Sequence, residues 1–115
     1  MTNNKRIGAL GEQLAADFLI KKGYTILERN YRTPYGELDI IASENDSVVF
    51  VEVKTRSTNR FGTGFEAITA KKQATLLNCA AYYADVHNLD CPVRIDAIEI
   101  MLDTKQITHL KGAVE

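Results

Sequence analysis

The chain has 115 residues, 45% of them hydrophobic and 25% charged. That is room for a single domain, taken here as residues 1–115, and the composition excludes both a disordered chain and a fibrous repeat. No apolar run approaches the roughly 18 residues that a membrane span requires, and Met1 to Gly8 has no signal-peptide core, so the expectation is a soluble, cytoplasmic protein with no membrane partner.

The net charge of −1 hides a strong partition along the sequence. Residues 1–36 carry +3, residues 37–53 carry −5 without one basic side chain, residues 54–72 carry +4, and the remainder carries −3. An acidic segment bracketed by basic ones suits a metal site that faces a polyanion, although solvated surfaces also produce such blocks. Cys79 and Cys91 are expected to be free thiols in an unexported chain, with Cys79 a small buried hydrophobe. Neither has a zinc-like spacing to His87 or His109.

A first helix is expected from about Asn4 to Lys22, with Ile7, Leu10, Leu14 and Phe18 as its apolar stripe and Gly23 as its end. Gly8, Gly11 and Ala15 lie beside that stripe, where small residues let a helix approach another backbone closely. Tyr24–Tyr31, Glu37–Ala42 and Val48–Thr55 read as three strands, the last two joined by a hairpin loop at 43–47. A polar stretch, Arg56 to Gly64, is expected to be mobile and to close on a phosphate backbone. A second helix follows from about Thr69 to His87, with Leu77, Ala80, Ala81 and Ala84 toward the sheet. Val93–Met101 and Ile107–Leu110 complete a five-stranded mixed α/β sheet flanked by helices, in the order αβββαββ.

The hairpin carries the chemistry. If Glu44 to Ser47 form a four-residue turn, antiparallel register sets Asp39 across from Glu52, with Cβ atoms roughly 5 Å apart. Two carboxylates so placed repel each other, and a hard divalent cation between them removes the conflict. Lys54, two residues past Glu52, lies on the same side, where an ammonium can orient a nucleophilic water or stabilise charge on a phosphate. From spacing alone, an edge hairpin with a surface salt bridge has about equal standing, because such pairs are common and nearly neutral in energy.

Asp39 followed by Glu52-Val53-Lys54 resembles the PD-(D/E)XK motif of restriction-endonuclease-like nucleases. The wider pattern is Gly11-Glu12, Asn30-Tyr31-Arg32, Gly36 to Ala42, Val49 to Arg56 and Val93 to Asp96. It is similar to the YraN-like family of small bacterial predicted endonucleases, which is related in fold to archaeal Holliday-junction resolvases. Leu38 stands where the motif has its proline.

The resemblance implies a restriction-endonuclease-like fold and a Mg2+- or Mn2+-dependent DNA endonuclease. Water would attack phosphorus in line to leave a 5′-phosphate, on substrates that include branched DNA. It implies that Asp39 and Glu52 are metal ligands, with the Val53 carbonyl as a third, and that Lys54 positions the water. Glu12 would complete the metal site from the first helix. On a helical wheel Glu12 lies about 140° from the apolar stripe, which fits either a cleft edge or plain solvation. Glu37 could support Asp39 from the start of its strand. Arg56, Arg60, Lys71 and Lys72 are the candidate phosphate contacts.

The competing readings are a catalytically silent nucleic-acid-binding module that recruits other DNA-processing proteins, a protein-interaction domain, and a phosphatase. A homodimer is expected as well. Residues 73–84 carry no charge, and a helix apolar nearly all round is buried on more than one side.

Overall fold

A computed structural model describes residues 2–57 and 68–114, with side chains from Lys5 onward. The elements are α1 (Thr2–Lys21), β1 (Thr25–Thr33), β2 (Gly36–Glu44), β3 (Ser47–Arg56), α2 (Ala70–Val86), β4 (Val93–Met101) and β5 (Gln106–Val114). The strands form one sheet in chain order. All neighbours are antiparallel except β3 and β4, which run parallel. A parallel pair cannot be joined by a hairpin, and α2 supplies the crossover. The mixed α/β order read from the sequence is therefore present. Among the described residues, no helix is long and apolar enough to cross a membrane.

The central strand β3 is apolar on both faces because both faces are covered. Val49 and Val51 pack with Ile40, Ala42, Ile98 and Ile100 against Ala15, Ala16 and Leu19 of α1. Val48 and Phe50 face the other way, with Leu38, Ile41 and Ile95, against Leu76, Cys79, Ala80 and Tyr83 of α2. Tyr31, Phe50 and Tyr83 meet edge to face, with ring centroids 5.0 and 5.7 Å apart.

Both helices are rotated from the expected orientation. In α1 the innermost residues are Gly11, Ala15, Ala16 and Leu19, while Leu10 is 50% exposed. Contact is made through the small residues, and the larger Leu14 and Phe18 flank it half-buried. In α2 the buried side chains are Leu76, Cys79, Ala80 and Tyr83, and Leu77 is 44% exposed. The large Tyr83 claims the core position, which turns Leu77, Ala81 and Ala84 toward the groove beside Val93, Ile95 and Val114. Both cysteines are free.

The β2–β3 turn is tight. Glu44 pairs with Ser47, leaving only Asn45-Asp46 between them, and Asn45 takes a left-handed φ of 54°. Asparagine tolerates that region better than most residues.

Strand β5 runs well past Leu110, because Asp96 holds its far half. The β4–β5 register shifts between Ile95 and Ala97, and Asp96 sits at that irregularity with no exposed surface. Its carboxylate accepts from Arg94 Nε (2.7 Å) and Nη2 (3.0 Å), His109 Nε2 (2.8 Å) and the Gly112 amide (3.0 Å). His109 therefore carries its proton on Nε2, and its Nδ1 lies 2.9 Å from Lys22 Nζ. Burial opposes the charge on Asp96, but the donors from His109, Arg94 and Gly112 outweigh it and hold the carboxyl down at about 2.

Two stability predictions follow from this packing. A Cβ on Gly11 would run into the Oγ1, Cβ and Cγ2 atoms of Thr55, whereas one on Gly8 meets nothing within 4 Å. Thermal melts should then give opposite signs. Gly8→Ala gains about 1 kcal/mol of helix propensity, whereas Gly11→Ala loses about 1–2 kcal/mol because overpacking exceeds that gain. Asp96→Ala should cost about 3–5 kcal/mol, since it leaves Arg94 half-buried without its main partner. In the wild type, the stability that Asp96 supplies is complete above its ordinary value of 3.8 and is lost as pH falls through about 2. Acid titration of the melting temperature should therefore flatten in Asp96→Ala.

Candidate metal and nucleic-acid site

The site lies where the sheet opens. Pairing between β2 and β3 runs from Glu44–Ser47 to Ile40–Val51. Beyond that point β2 continues against β1, while β3 continues against β4 as far as Arg56–Met101. The expected register holds up to this fork, and one further step sets Asp39 opposite Glu52. Asp39 does not simply share a face with Ile41. Tyr31 and Leu38 pack on the α2 side, while Ile40 packs on the α1 side and Arg29 reaches Gln13 of α1 (2.9 Å). Residues two apart on a strand normally share a face, so both strands turn over at Asn30 and Asp39. Asn30, with φ 51°, supplies the left-handed residue that allows it.

This turn aims Asp39 across the opening, where its Oδ2 accepts from the Val53 amide at 2.8 Å. The N–H and C=O of a strand residue point to the same side, so the Val53 carbonyl is turned toward the opening as well. Glu52 reaches the opening from the α2 face of β3. Its Oε2 lies 3.3 Å from Nζ of Lys72, in the first turn of α2. Glu12 approaches from the α1 side, half-buried, and its Oε1 accepts from Asn30 Nδ2 at 2.8 Å. The close contact of Gly11 with Thr55 brings it there. Glu12 therefore lies at the edge of the opening, half-buried and hydrogen-bonded to Asn30.

Asp39 senses both neighbouring carboxylates. Burial, then the charge of Glu52, and to a smaller extent that of Glu12 push the Asp39 carboxyl up to about 7, against the lowering effect of the Val53 amide. Among the described residues, no three His, Cys, Asp or Glu groups converge as a ready-made cation cage. The arrangement is instead two adjacent carboxylates with a third at the rim. Such a donor set fits a magnesium- or manganese-type ion, which takes one or two carboxylates and fills its remaining positions with water and phosphate oxygens.

Lys54 is exposed on the same face as Glu52, two residues further along β3, and stands opposite Glu99 in the parallel register. The remaining expected residues divide. Arg56 is committed in part to the buried Glu99, through Nε at 2.8 Å. Lys71 is exposed on the first turn of α2. Lys72 touches Glu52 rather than standing apart as a surface charge. Glu37 is exposed opposite Arg32, away from the opening. Arg60, with residues 58–64 of the stretch expected to close on nucleic acid, lies outside the described residues. Asn30 and Glu99 had no expected role. The signal for Asn30 was available as an asparagine inside a strand run, a residue that favours left-handed backbone.

The model of the uncharacterised protein family UPF0102 matches residues 11–100, which include Glu12, Asp39, Glu52 and Lys54. The chain belongs to UPF0102. This is the YraN-like family that the motifs resemble. A UPF0102 protein of Alkaliphilus oremlandii is 50% identical, covering 96% of this chain and 98% of its own length. One from Clostridioides difficile is 45% identical with the same coverage. Among solved structures, Pyrococcus furiosus SfsA in complex with Ca2+ is similar at 14% identity and a TM-score of 0.37, covering 94% of this chain and 63% of that one. Most UPF0102 residues named above therefore fall within the stretch that the family model spans.

The raised Asp39 carboxyl gives a signed prediction. Its folded value lies above the ordinary 3.8, so its own contribution to stability is most favourable below about 4 and declines as pH rises from there toward about 7. Asp39→Asn keeps an oxygen for the Val53 amide and removes the repulsion. Without divalent ions, it should melt a few degrees higher than the wild type at pH 8, equivalent to about 1 kcal/mol, and match it near pH 4. A variant that melts lower at pH 8 would make Asp39 a structural residue.

Proposed function

We propose that this UPF0102 protein is a divalent-metal-dependent DNA endonuclease, with a restriction-endonuclease-like fold of the PD-(D/E)XK type, acting in the cytoplasm. The observation that carries the reading is the proximity of Asp39 to Glu52 at the fork, where the two carboxylates repel. A purely structural sheet needs an acceptor for the Val53 amide, which Asp39 supplies, but has no use for a second carboxylate beside it that raises the first to about 7. The substrate class proposed is DNA, with branched, Holliday-junction-like forms favoured by the family resemblance.

In this reading Asp39 and Glu52 hold the cation, with the Val53 carbonyl as a further donor and Glu12 at the rim. A bound Mg2+ or Mn2+ supplies Lewis-acid stabilisation of phosphate charge and lowers the pKa of a coordinated water. The Val53 amide fixes one oxygen of Asp39 and so sets the orientation of its carboxylate. Lys54 positions the attacking water or stabilises charge developing on the phosphate. Lys71, together with Arg56 and Arg60, meets the flanking backbone, where contacts orient nucleic acid without reading its sequence. With a cation held by Asp39 and Glu52 the acidic character of the centre would be offset, and the adjoining basic segment would draw a polyanion to it. The expected homodimer belongs to the same proposal, with Leu77, Ala81 and Val93 as the apolar surface it would cover.

The test is to incubate the purified full chain with linear, flapped and four-way DNA in Mg2+ or Mn2+. Cleavage is expected to depend on the metal, and Lys54→Ala should lower it by about a hundredfold or more. If no substrate is cut above the Lys54→Ala level, the site is a silent nucleic-acid-binding module.

A further inference from the structure

Lys72 stands in a position that helix electrostatics disfavours. Thr69 caps α2, its side chain accepting from the Lys72 amide at 3.1 Å, which places Lys72 at the third helical residue. The first turn contains no acidic residue but two lysines. The partial positive charge of a helix N-terminus favours acids there and opposes ammonium groups. The helix start itself is well anchored, with Gln73 Nε2 donating to the Ile68 carbonyl at 2.9 Å. What compensates Lys72 is Glu52, 3.3 Å away and on a different element. The ammonium thus lies against a carboxylate that the preceding section assigns to a metal. The Lys72 side chain is 41% exposed and that of Glu52 is 21% exposed, so the lysine can leave into solvent without repacking the core.

We propose that Lys72 is a built-in counter-cation for Glu52, occupying the carboxylate until a divalent ion displaces it. The inference rests on the metal-site reading of Asp39 and Glu52. It gives the sequence a reason to place a lysine against the helix dipole. A pair of neighbouring carboxylates must fold before any cation arrives, and an ammonium tethered on α2 lowers their repulsion meanwhile. Lysine suits this better than arginine, because its compact ammonium sits on a flexible stem and makes no rigid bidentate fork. Metal entry then exchanges one cation for another, and the released ammonium joins Lys54 and Lys71 on the phosphate-facing side. Lys72 is therefore a positioning residue whose partner changes when the site is loaded.

The experiment measures Mn2+ binding to the full chain by electron paramagnetic resonance, in the absence of DNA. Glu52→Gln should abolish site binding. Lys72→Gln, which removes the competitor, should tighten Mn2+ by roughly two- to fivefold, the range expected for one partly exposed ion pair. Lys72→Arg, which keeps the charge and can grip a carboxylate with two N–H groups, should bind no more tightly than the wild type. In parallel, the side-chain 15N resonance of Lys72 should shift as Mg2+ is added to the wild type. Unchanged or weaker Mn2+ binding in Lys72→Gln, or a Lys72 resonance that stays still while Mg2+ binds, overturns the proposal. Wild-type protein that binds no Mn2+ sensitive to Glu52→Gln overturns the metal-site reading itself, and this inference with it.

Discussion

Beyond Ile40 and Val51 the two central strands part, and the hydrogen bond from the Val53 amide to Asp39 spans the opening. The rest of the site depends on how that gap is kept. A strand leaving its partner exposes amide and carbonyl groups that must be satisfied elsewhere. On the β3 side, β4 satisfies one edge, and the side chain of Asp39 takes over a role that a β2 carbonyl would otherwise have filled. The substitution ties a carboxylate to the backbone at the point where the sheet becomes accessible. It is also why Asp39 is buried enough for its charge to be costly.

The gap is reached from both faces because each helix meets the sheet beside it. On one side Gly11 lets α1 lie directly on Thr55, and the following residue, Glu12, is delivered to the rim. On the other, the Thr69 cap fixes where α2 begins, and Lys72 falls one turn later against Glu52. Neither side chain is placed by its own strand or hairpin. A glycine packed on a threonine and a capping hydroxyl, both far from chemistry in kind, determine which charges meet.

This division also explains what could be read from the sequence. The β2–β3 register was legible because a tight turn fixes it, and a period of two then carries it as far as Ile40 and Val51; the turnover of β2 at Asp39, coupled to left-handed Asn30 on β1, was not legible. The order of elements was legible from periodicity and turn residues. Helix orientation was not. In α1 the stripe of large residues, Ile7, Leu10, Leu14 and Phe18, outweighed a neighbouring stripe of small ones, yet close approach buries the small ones. In α2 no charged residue marks a solvent face between Gln73 and Ala84, so the wheel has no fixed outside, and the bulk of Tyr83 decides. The length of β5 was hidden for another reason. It depends on Asp96 stitching across an irregular register, a contact between residues 16 apart in sequence.

Asp96 and Asp39 make the clearest comparison in the molecule. Both are aspartates in the sheet, and for both burial is the largest influence and pushes the carboxyl upward. They finish on opposite sides of the ordinary value because of what surrounds them. Asp96 accepts four hydrogen bonds, from Arg94 twice, His109 and Gly112, which matches the lone-pair sites a carboxylate offers. Nothing remains for a ligand, and the charge is held permanently. For Asp39, among the described residues, the fixed N–H donor is that of Val53, and the neighbouring charges are Glu52 and Glu12. Its charge is under-compensated, because Glu52 and Glu12 raise its carboxyl more than the Val53 amide lowers it. The fold has satisfied one aspartate completely and left the other wanting positive charge, at the fork between β2 and β3. By that contrast Asp39 is where the proposed cation would be held, and Asp96 belongs to the framework that keeps β5 in place.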